Sequence, residues 1–453
     1  MAIEIYSTMS GRKEPLETFE PGKIKFFVCG PTVYDYSHLG HGKTYTQFDF
    51  VVRYLRYRGY DVFYLQNVTD VDDRIIRRAR ESGVEPAELA ARFERYYHED
   101  MAALHNTAVD EHARAHDFID AIVDQVRRLR EKGYAYEIPG DGIYYSIEAF
   151  EGYGKLSGRT ELQADDSVSR IDENPDKRHP GDFCLWKARK EGEPFWSTEL
   201  GDGRPGWHIE DTAITERFFG PQYDIHGGAV DLIFPHHEAE IAQIEAASGK
   251  EPMVRYWMHT GFLNLRGEKM SKSLGNFQTI RQALETVDYR VLRFYFLRHH
   301  YRSPIDLTEG SIEQAANGLE RIQNFVRHLD RGRDDAEHAE AVEAFRQGFC
   351  AALDDDFNTP QALGLLYDFI RERNRAGGAG RRVFELMREI DGLFDMLDFA
   401  AGDGDAEIDR KVERRQRLRA EKRWAEADEI RDQLAAEGIV IEDSAAGTRW
   451  YRK

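Results

Sequence analysis

The sequence predicts an α/β fold: a parallel sheet with crossover helices, interrupted by an insertion and followed by a helical region and a small α+β end. Three observations carry this. Apolar, strand-like runs at 24–28 and 60–66 alternate with helical patterns over residues 1–110. That alternation stops near 115 and resumes from Trp207 to about 300. Beyond a polar stretch, Arg331 to Glu337, only helical periodicity remains until the last few residues.

Taken in order, the run Ile24-Lys25-Phe26-Phe27-Val28 is a buried strand, and Phe48 to Leu55 carries a helical pattern. Tyr60 to Gln66 is strand-like, and Asp73 to Leu104 reads as one charged helix. Between about 115 and 210 come one helix (Phe118 to Lys132), short strand-like pieces such as Gly142 to Ile147, and Gly/Pro-rich loops, which mark an insertion. Helices over Glu340 to Leu353, Pro360 to Ala376 and Arg381 to Leu397 predict a bundle. A Gly/Asp stretch at 401–405 precedes a further helix and a strand-like end, Gly438 to Ile441.

At 453 residues, with 41% hydrophobic and 12% aromatic content, the chain is globular and large enough for several cores. No apolar run approaches the roughly 20 residues that span a bilayer. The start of the chain lacks the basic and apolar regions of an export signal. Cys29, Cys184 and Cys350 make no disulfide framework, so a cytoplasmic location is expected. The net charge of −20 argues against a broadly basic, nucleic-acid-coating surface. It is compatible with acidic residues on faces turned away from RNA, as in proteins adapted to high salt.

Two segments carry phosphate chemistry. His38-Leu39-Gly40-His41 lies between a strand and a helix start, where imidazoles and backbone N–H groups meet an anion. Lys269-Met270-Ser271-Lys272-Ser273 brings two lysines on a short loop, point charges for a polyphosphate. Activation of a carboxylate by ATP builds charge on the α-phosphate and the leaving diphosphate, and donors aimed at those oxygens supply the stabilisation. Alone, each string also reads as a local hydrogen-bonding helix start or a solvated loop. A third constellation is His236 and Glu240, four apart at a helix start, with Cys29 and Asp211 as further candidates for one divalent ion. The same residues also read as an acid-rich helix N-terminus beside an ordinary buried cysteine.

The two phosphate segments in this order resemble the paired signature of class I aminoacyl-tRNA synthetases. The finer pattern resembles the cysteinyl-tRNA synthetase family: Cys29 to Asp35 running into His38–His41, Asn67 to Asp73, Arg204 to Glu210, His226-Gly227-Gly228, Asp231-Leu232, Phe234 to Glu238, Asp354 to Thr359, Trp424 to Asp428, and Glu442-Asp443. The likeness covers essentially the whole chain.

The resemblance implies a Rossmann-like catalytic domain over 1–330, with a connective insertion at about 115–210 and a stem-contact region at about 280–330. A helical anticodon-binding domain over 340–400 and a small C-terminal domain over 405–453 would follow. It implies an aminoacyl-tRNA ligase that forms cysteinyl-adenylate from L-cysteine and ATP with Mg2+, then passes cysteine to the terminal adenosine of tRNA(Cys). His38, His41, Lys269, Ser271 and Lys272 would bind ATP, with the two histidines and two lysines catalytic. Thr69, Trp207, His226 and Asp231 would line the substrate pocket, and Arg419, Trp424, Asp428 and Asp443 would contact the anticodon. Trp424 reads equally as a base-stacking platform or a helix-packing residue.

One zinc ion per chain would sit on Cys29, Asp211, His236 and Glu240 and bind the substrate thiolate. Cysteine and serine differ by one atom, and shape differences of that size give only ~1–3 kcal/mol of discrimination, whereas a thiolate–zinc bond gives more. The family normally has cysteine where this chain has Asp211. Aspartate carries the same charge and ligates zinc, so retention with a harder ligand set is the expectation; the alternative is that Asp211 points away and zinc is lost. Cys184 reads as a buried strand residue rather than a replacement ligand. A monomer is expected. Two other functions remain open: a cysteine ligase acylating a small amine, and a non-catalytic RNA-binding paralogue.

Overall fold

The computed structural model describes residues 2–159, 174–265, 267–269, 277–399, 406–444 and 447–452. Its centre is a five-stranded parallel sheet in the order Val254–Thr260, Tyr223–Ala229, Lys23–Val28, Asp61–Val68, Glu111–Arg114. The chain starts in the middle, winds outward on one side, and returns after the insertion to build the other side. The order therefore reverses between Lys23–Val28 and Tyr223–Ala229, and in such sheets ligands bind in the crevice beyond the strand ends at that point. Cys29 leaves the first of these strands and Gly227-Gly228 close the second, tied by the Cys29 N–H donating to Gly227 O at 3.0 Å.

The insertion forms its own antiparallel sheet, with strands Ala135–Ile138, Gly142–Tyr145, Phe183–Ala188, Gly201–Pro205 and Trp196–Thr198 in that order. Cys184 lies in it as a buried strand residue, as its setting predicts. The segment read as one helix from Asp73 to Leu104 is two helices, Asp73–Ser82 and Pro86–Ala103. Gly83 takes a left-handed cap at φ 66° and Pro86 starts the next helix, so punctuation outweighed periodicity. A hairpin of Glu4–Ser7 and Arg12–Pro15, short and polar on its second strand, went unread.

Residues 331–337, read as a linker, are held in place: the Asp335 carboxylate accepts from the N–H groups of Gly380 and Arg382, both at 2.8 Å. Helices Ala339–Asp354, Thr359–Arg375 and Arg381–Phe394 follow and share one apolar core with a face of the parallel sheet, from Phe26 and Phe48 through Phe349 to Phe394. Arg293, fully buried, welds the two parts, pairing with Asp49 at 2.9 Å and donating to Phe394 O at 2.8 Å. The stretch 401–405 lies outside the described residues. Helices Ala406–Ala420 and Trp424–Ala436 with strands Ile439–Ser444 and Gly447–Arg452 enclose a small separate core around Leu434. Among the described residues no helix is long and apolar enough to cross a membrane.

Candidate active site and metal cluster

His38 caps the helix Leu39–Tyr57 in an extended conformation, and the two histidines cap each other. The His41 N–H donates to His38 Nδ1 at 3.3 Å, and the His38 N–H to His41 Nδ1 at 3.4 Å. Their rings stack at 3.9 Å. Both imidazoles are thus fixed at the positive end of a 19-residue helix, half-buried and on one side. The chain that follows the second phosphate segment reaches the same helix start. Lys269 ends the short strand Glu268–Lys269, paired with 264–265, and the chain returns at 277–280. There the Leu39 N–H donates to Gln278 O and the Ile280 N–H to Ser37 O, both at 3.0 Å. Ser271 and Lys272 lie outside the described residues.

The metal candidates converge. Cys29 Sγ is 3.3 Å from Asp211 Oδ2 and 3.8 Å from Glu240 Oε1. His236 Nε2 is 3.1 Å from Asp211 Oδ2 and 3.0 Å from Glu240 Oε1. Asp211 comes from the helix Trp207–Phe219, Glu240 from Glu238–Ser248, and His236 from the turn just before it. Asp211 therefore points into the cluster, and the Asn67 amide, which donates to it, holds it there. Asn67 Oδ1 in turn accepts from the Gly30 N–H at 2.6 Å. Gly30 is required: a Cβ there would lie 1.7 Å from Asn67 O.

All four ligand candidates are buried, and their protonation is set by burial and by one another. Burial, then Glu240 and Asp211, push the Cys29 thiol up. Burial raises Glu240 as well, against the opposing pull of His236. Burial opposes a charge on His236, yet the Glu240 and Asp211 carboxylates lift it to about 9. Glu240 Oε2 has no hydrogen-bond partner among the described residues. Two carboxylates, a thiol and an imidazole around one point, with an orphaned buried oxygen, fit a divalent ion.

Of the expected pocket residues, Trp207, Thr69 and His226 lie beside this cluster. Trp207 stacks on His236 at 4.2 Å, and Thr69 is buried beside Asn67. His226 Nε2 approaches Cys29 Sγ at 3.4 Å, while Asp231 lies exposed in the turn Val230–Leu232 just past the same strand. Sequence reasoning missed His237, whose Nε2 is 3.2 Å from Cys29 Sγ. It stands next to His236 in a His-His-Glu string, and the helical spacing to Glu240 drew attention to its neighbour instead. Asn67 carried no signal of its own.

Far from this cluster, two adjoining hollows of about 620 and 500 Å³ share Arg321 and Tyr367, between helices Glu309–Arg327 and Thr359–Arg375. Arg298 and Arg375 also line them. Among the described residues neither these two nor Arg321 has a carboxylate partner. Tyr367 can lie against the first helix because Gly318 leaves room; a Cβ there would be 3.0 Å from its hydroxyl. At the far end of the chain, Trp424 is 55% exposed, which sets it apart from a packing residue. Arg419 and Asp428 sit on the two helices there, and Asp443 on the strand Ile439–Ser444.

This parallel sheet, with the capped histidine pair at its switch point and the segment 277–280 bonded beside it, defines a class I aminoacyl-tRNA synthetase. The chain matches the tRNA synthetases class I (C) catalytic domain over residues 15–317, the DALR domain over 348–400 and the cysteinyl-tRNA ligase anticodon binding domain over 401–450. It belongs to the cysteine–tRNA ligase family. Cysteine–tRNA ligases of Geobacter sulfurreducens and Thermococcus onnurineus are similar to it at 46% and 45% identity, over 100% of this chain and 100% and 99% of theirs. In fold alone it is similar to an Agrobacterium radiobacter leucyl enzyme in a ternary complex (TM-score 0.60, 12% identity, 84% of this chain and 85% of that one). A Mycobacterium tuberculosis methionyl-tRNA synthetase is likewise similar (TM-score 0.57, 18% identity, 78% and 83%).

Proposed function

We propose that the chain joins L-cysteine to tRNA(Cys) in two steps, with the residues above in named roles. His38 and His41 donate to the α- and β-phosphate oxygens of ATP as charge develops, assisted by Lys269, Ser271 and Lys272. Cysteine's carboxylate attacks the α-phosphorus, diphosphate leaves, and the terminal adenosine's hydroxyl then takes the acyl group while AMP departs. Thr69, Trp207, His226 and Asp231 orient the amino acid. Cys29, Asp211, His236 and Glu240 hold one zinc ion, which when bound supplies a soft site for the substrate sulfur. The observation that supports this most directly is Asp211 Oδ2, directed at both Cys29 Sγ and His236 Nε2 within 3.3 Å.

The domain reading goes with it: 1–330 catalytic, with 115–210 inserted and 280–330 against the acceptor stem, 340–400 and 405–453 towards the anticodon. Arg419, Trp424, Asp428 and Asp443 contact the anticodon, with the exposed Trp424 ring as a stacking platform. The unpaired arginines of the groove at Arg321 give the tRNA backbone a path on an acidic protein. A cytoplasmic monomer goes with this reading.

Cysteine-dependent exchange of diphosphate into ATP, measured with and without tRNA, tests the reading. Exchange followed by charging of tRNA(Cys) is expected. Absence of exchange would make the chain a binding paralogue, and exchange without transfer would make it a small-amine ligase.

A further inference from the structure

Glu240 faces two ways. Its Oε1 lies towards His236 and Asp211, whereas Oε2 is 3.5 Å from His226 Nε2 and makes no hydrogen bond among the described residues. Cys29 Sγ also faces two ways, being 3.4 Å from His226 Nε2 and 3.2 Å from His237 Nε2. Cys29, His226, His237 and Glu240 place one donor atom each within 4.8 Å of one another, as do Cys29, Asp211, His236 and Glu240. Ligands at ~2.0–2.3 Å from a tetrahedral ion stand roughly 3.3–3.7 Å apart; the contacts above run from 3.0 to 3.8 Å in the first quartet and from 3.2 to 3.5 Å in the second.

The second quartet is oriented as metal ligands are. Tyr223 Oη and His226 Nδ1 are 2.7 Å apart, and His237 Nδ1 and His259 Nε2 are 2.8 Å apart. His259 Nδ1 in turn lies 2.7 Å from Thr8 Oγ1. Each Nδ1 is therefore occupied and each Nε2 is turned to Cys29. The close approach of His237 needs Gly228, where a Cβ would lie 2.8 Å from the ring. Within this quartet a thiolate and one carboxylate neutralise a divalent ion, and Asp211 stays buried beside either seat, 3.3 Å from Cys29 Sγ.

We propose that the cluster offers one metal ion two adjacent seats sharing Cys29 and Glu240, the second completed by His226 and His237. The second seat retains the ion when Asp211 does not hold it. This rests on the metal reading of the cluster but is separable from it.

Zinc per chain by elemental analysis, and the number of imidazoles on zinc by X-ray absorption, give the test in wild type, Asp211→Ala, His237→Gln and the double variant. Asp211→Ala should keep one zinc with two imidazoles and one sulfur. His237→Gln should keep one zinc with one imidazole, and the double variant should lose it. A folded Asp211→Ala, judged by circular dichroism and melting, that holds no zinc overturns the second seat. So does zinc in the double variant equal to that in Asp211→Ala. A wild type that binds no zinc would instead overturn the metal reading itself.

Discussion

Zinc binding at the Asp211 seat should release about two protons per ion near pH 7.5, because metal ligands must be deprotonated. The count comes from the cluster. Cys29 is held as a thiol by burial and by the Glu240 and Asp211 carboxylates, so its proton must leave. His236 loses charge stability to burial but gains more from Glu240 and Asp211; at about 9 it too carries a proton that must leave. Each proton competes with the ion, so the sign is fixed: raising the pH tightens binding. Two protons mean a rise of about 100-fold in apparent affinity per pH unit, ~2.8 kcal/mol, between roughly pH 7 and 8.5. Below that range Glu240, raised by burial, steepens the dependence; above about pH 9 the slope falls towards one.

The seat on His226 and His237 gives a different number. Burial pushes both imidazoles down, so they are neutral already, and only the Cys29 proton is released: about tenfold per pH unit. Competition against a chelator at several pH values, with calorimetry in two buffers of different ionisation heat, measures the slope. A slope near zero would refute the cluster as a metal site, and a slope of one would remove His236 from the ligand set.

Three further perturbations follow from the geometry. Replacing Arg321 and Arg375 together by Ala should raise KM for tRNA about tenfold or more and flatten its salt dependence, with cysteine-dependent exchange unchanged; equal loss in both assays would take the groove out of tRNA binding. His38→Ala or His41→Ala should each lower the exchange rate by about 100-fold, since each donor to the reacting phosphates is lost, at a cost of only ~1 kcal/mol in folding from the broken cap; exchange slowed that far with a urea midpoint only slightly lowered is the signature, and an unchanged rate would refute the phosphate role. Lys43 is fully buried, donating to Gly261 O at 2.7 Å and Gln47 Oε1 at 3.0 Å, and burial pushes it down to about 7. From about pH 7 to 10 the folded state holds fewer protons than the unfolded one, so wild type should gain stability relative to Lys43→Met as pH rises, by at most about 5 kcal/mol in urea unfolding; a constant difference would refute the buried charge.

Where the sequence was legible, the physics was local. Strands at 24–28 and 60–66 announce themselves through apolar runs, and the His38–His41 segment through its place between strand and helix. His236 and Glu240 could be paired because helical spacing puts them on one face, and they are 3.0 Å apart. What stayed hidden depends on distant parts of the chain meeting. Asn67, one amide among many, acquires its role only because the Asp61–Val68 strand ends beside the Trp207–Phe219 helix, which comes from beyond the insertion. His237 is turned to Cys29 by His259 and Thr8, from the far strand and the N-terminal hairpin, and no spacing rule links them. The break at Gly83 was the one local signal overridden by a longer helical pattern.

The charge of −20 also looks different once the arginines are placed. Much of the chain's positive charge is committed internally: Arg293 to Asp49, Arg204 to Asp73 and Glu193, Arg346 to Glu389, Arg302 to Asp356. Such pairs cannot attract RNA, because their fields close on themselves. What a phosphate backbone feels is set by the unpaired cations within a Debye length, ~8 Å at physiological salt, not by the total. Arg298, Arg321 and Arg375, without a carboxylate partner among the described residues, line adjoining hollows together with Tyr367 and are such a set. Acidic residues farther off than that length act on solubility instead. An acidic protein can therefore hold an RNA, provided its free arginines are gathered, and the weakness of net charge as a sign of function is that it adds paired and unpaired charges alike.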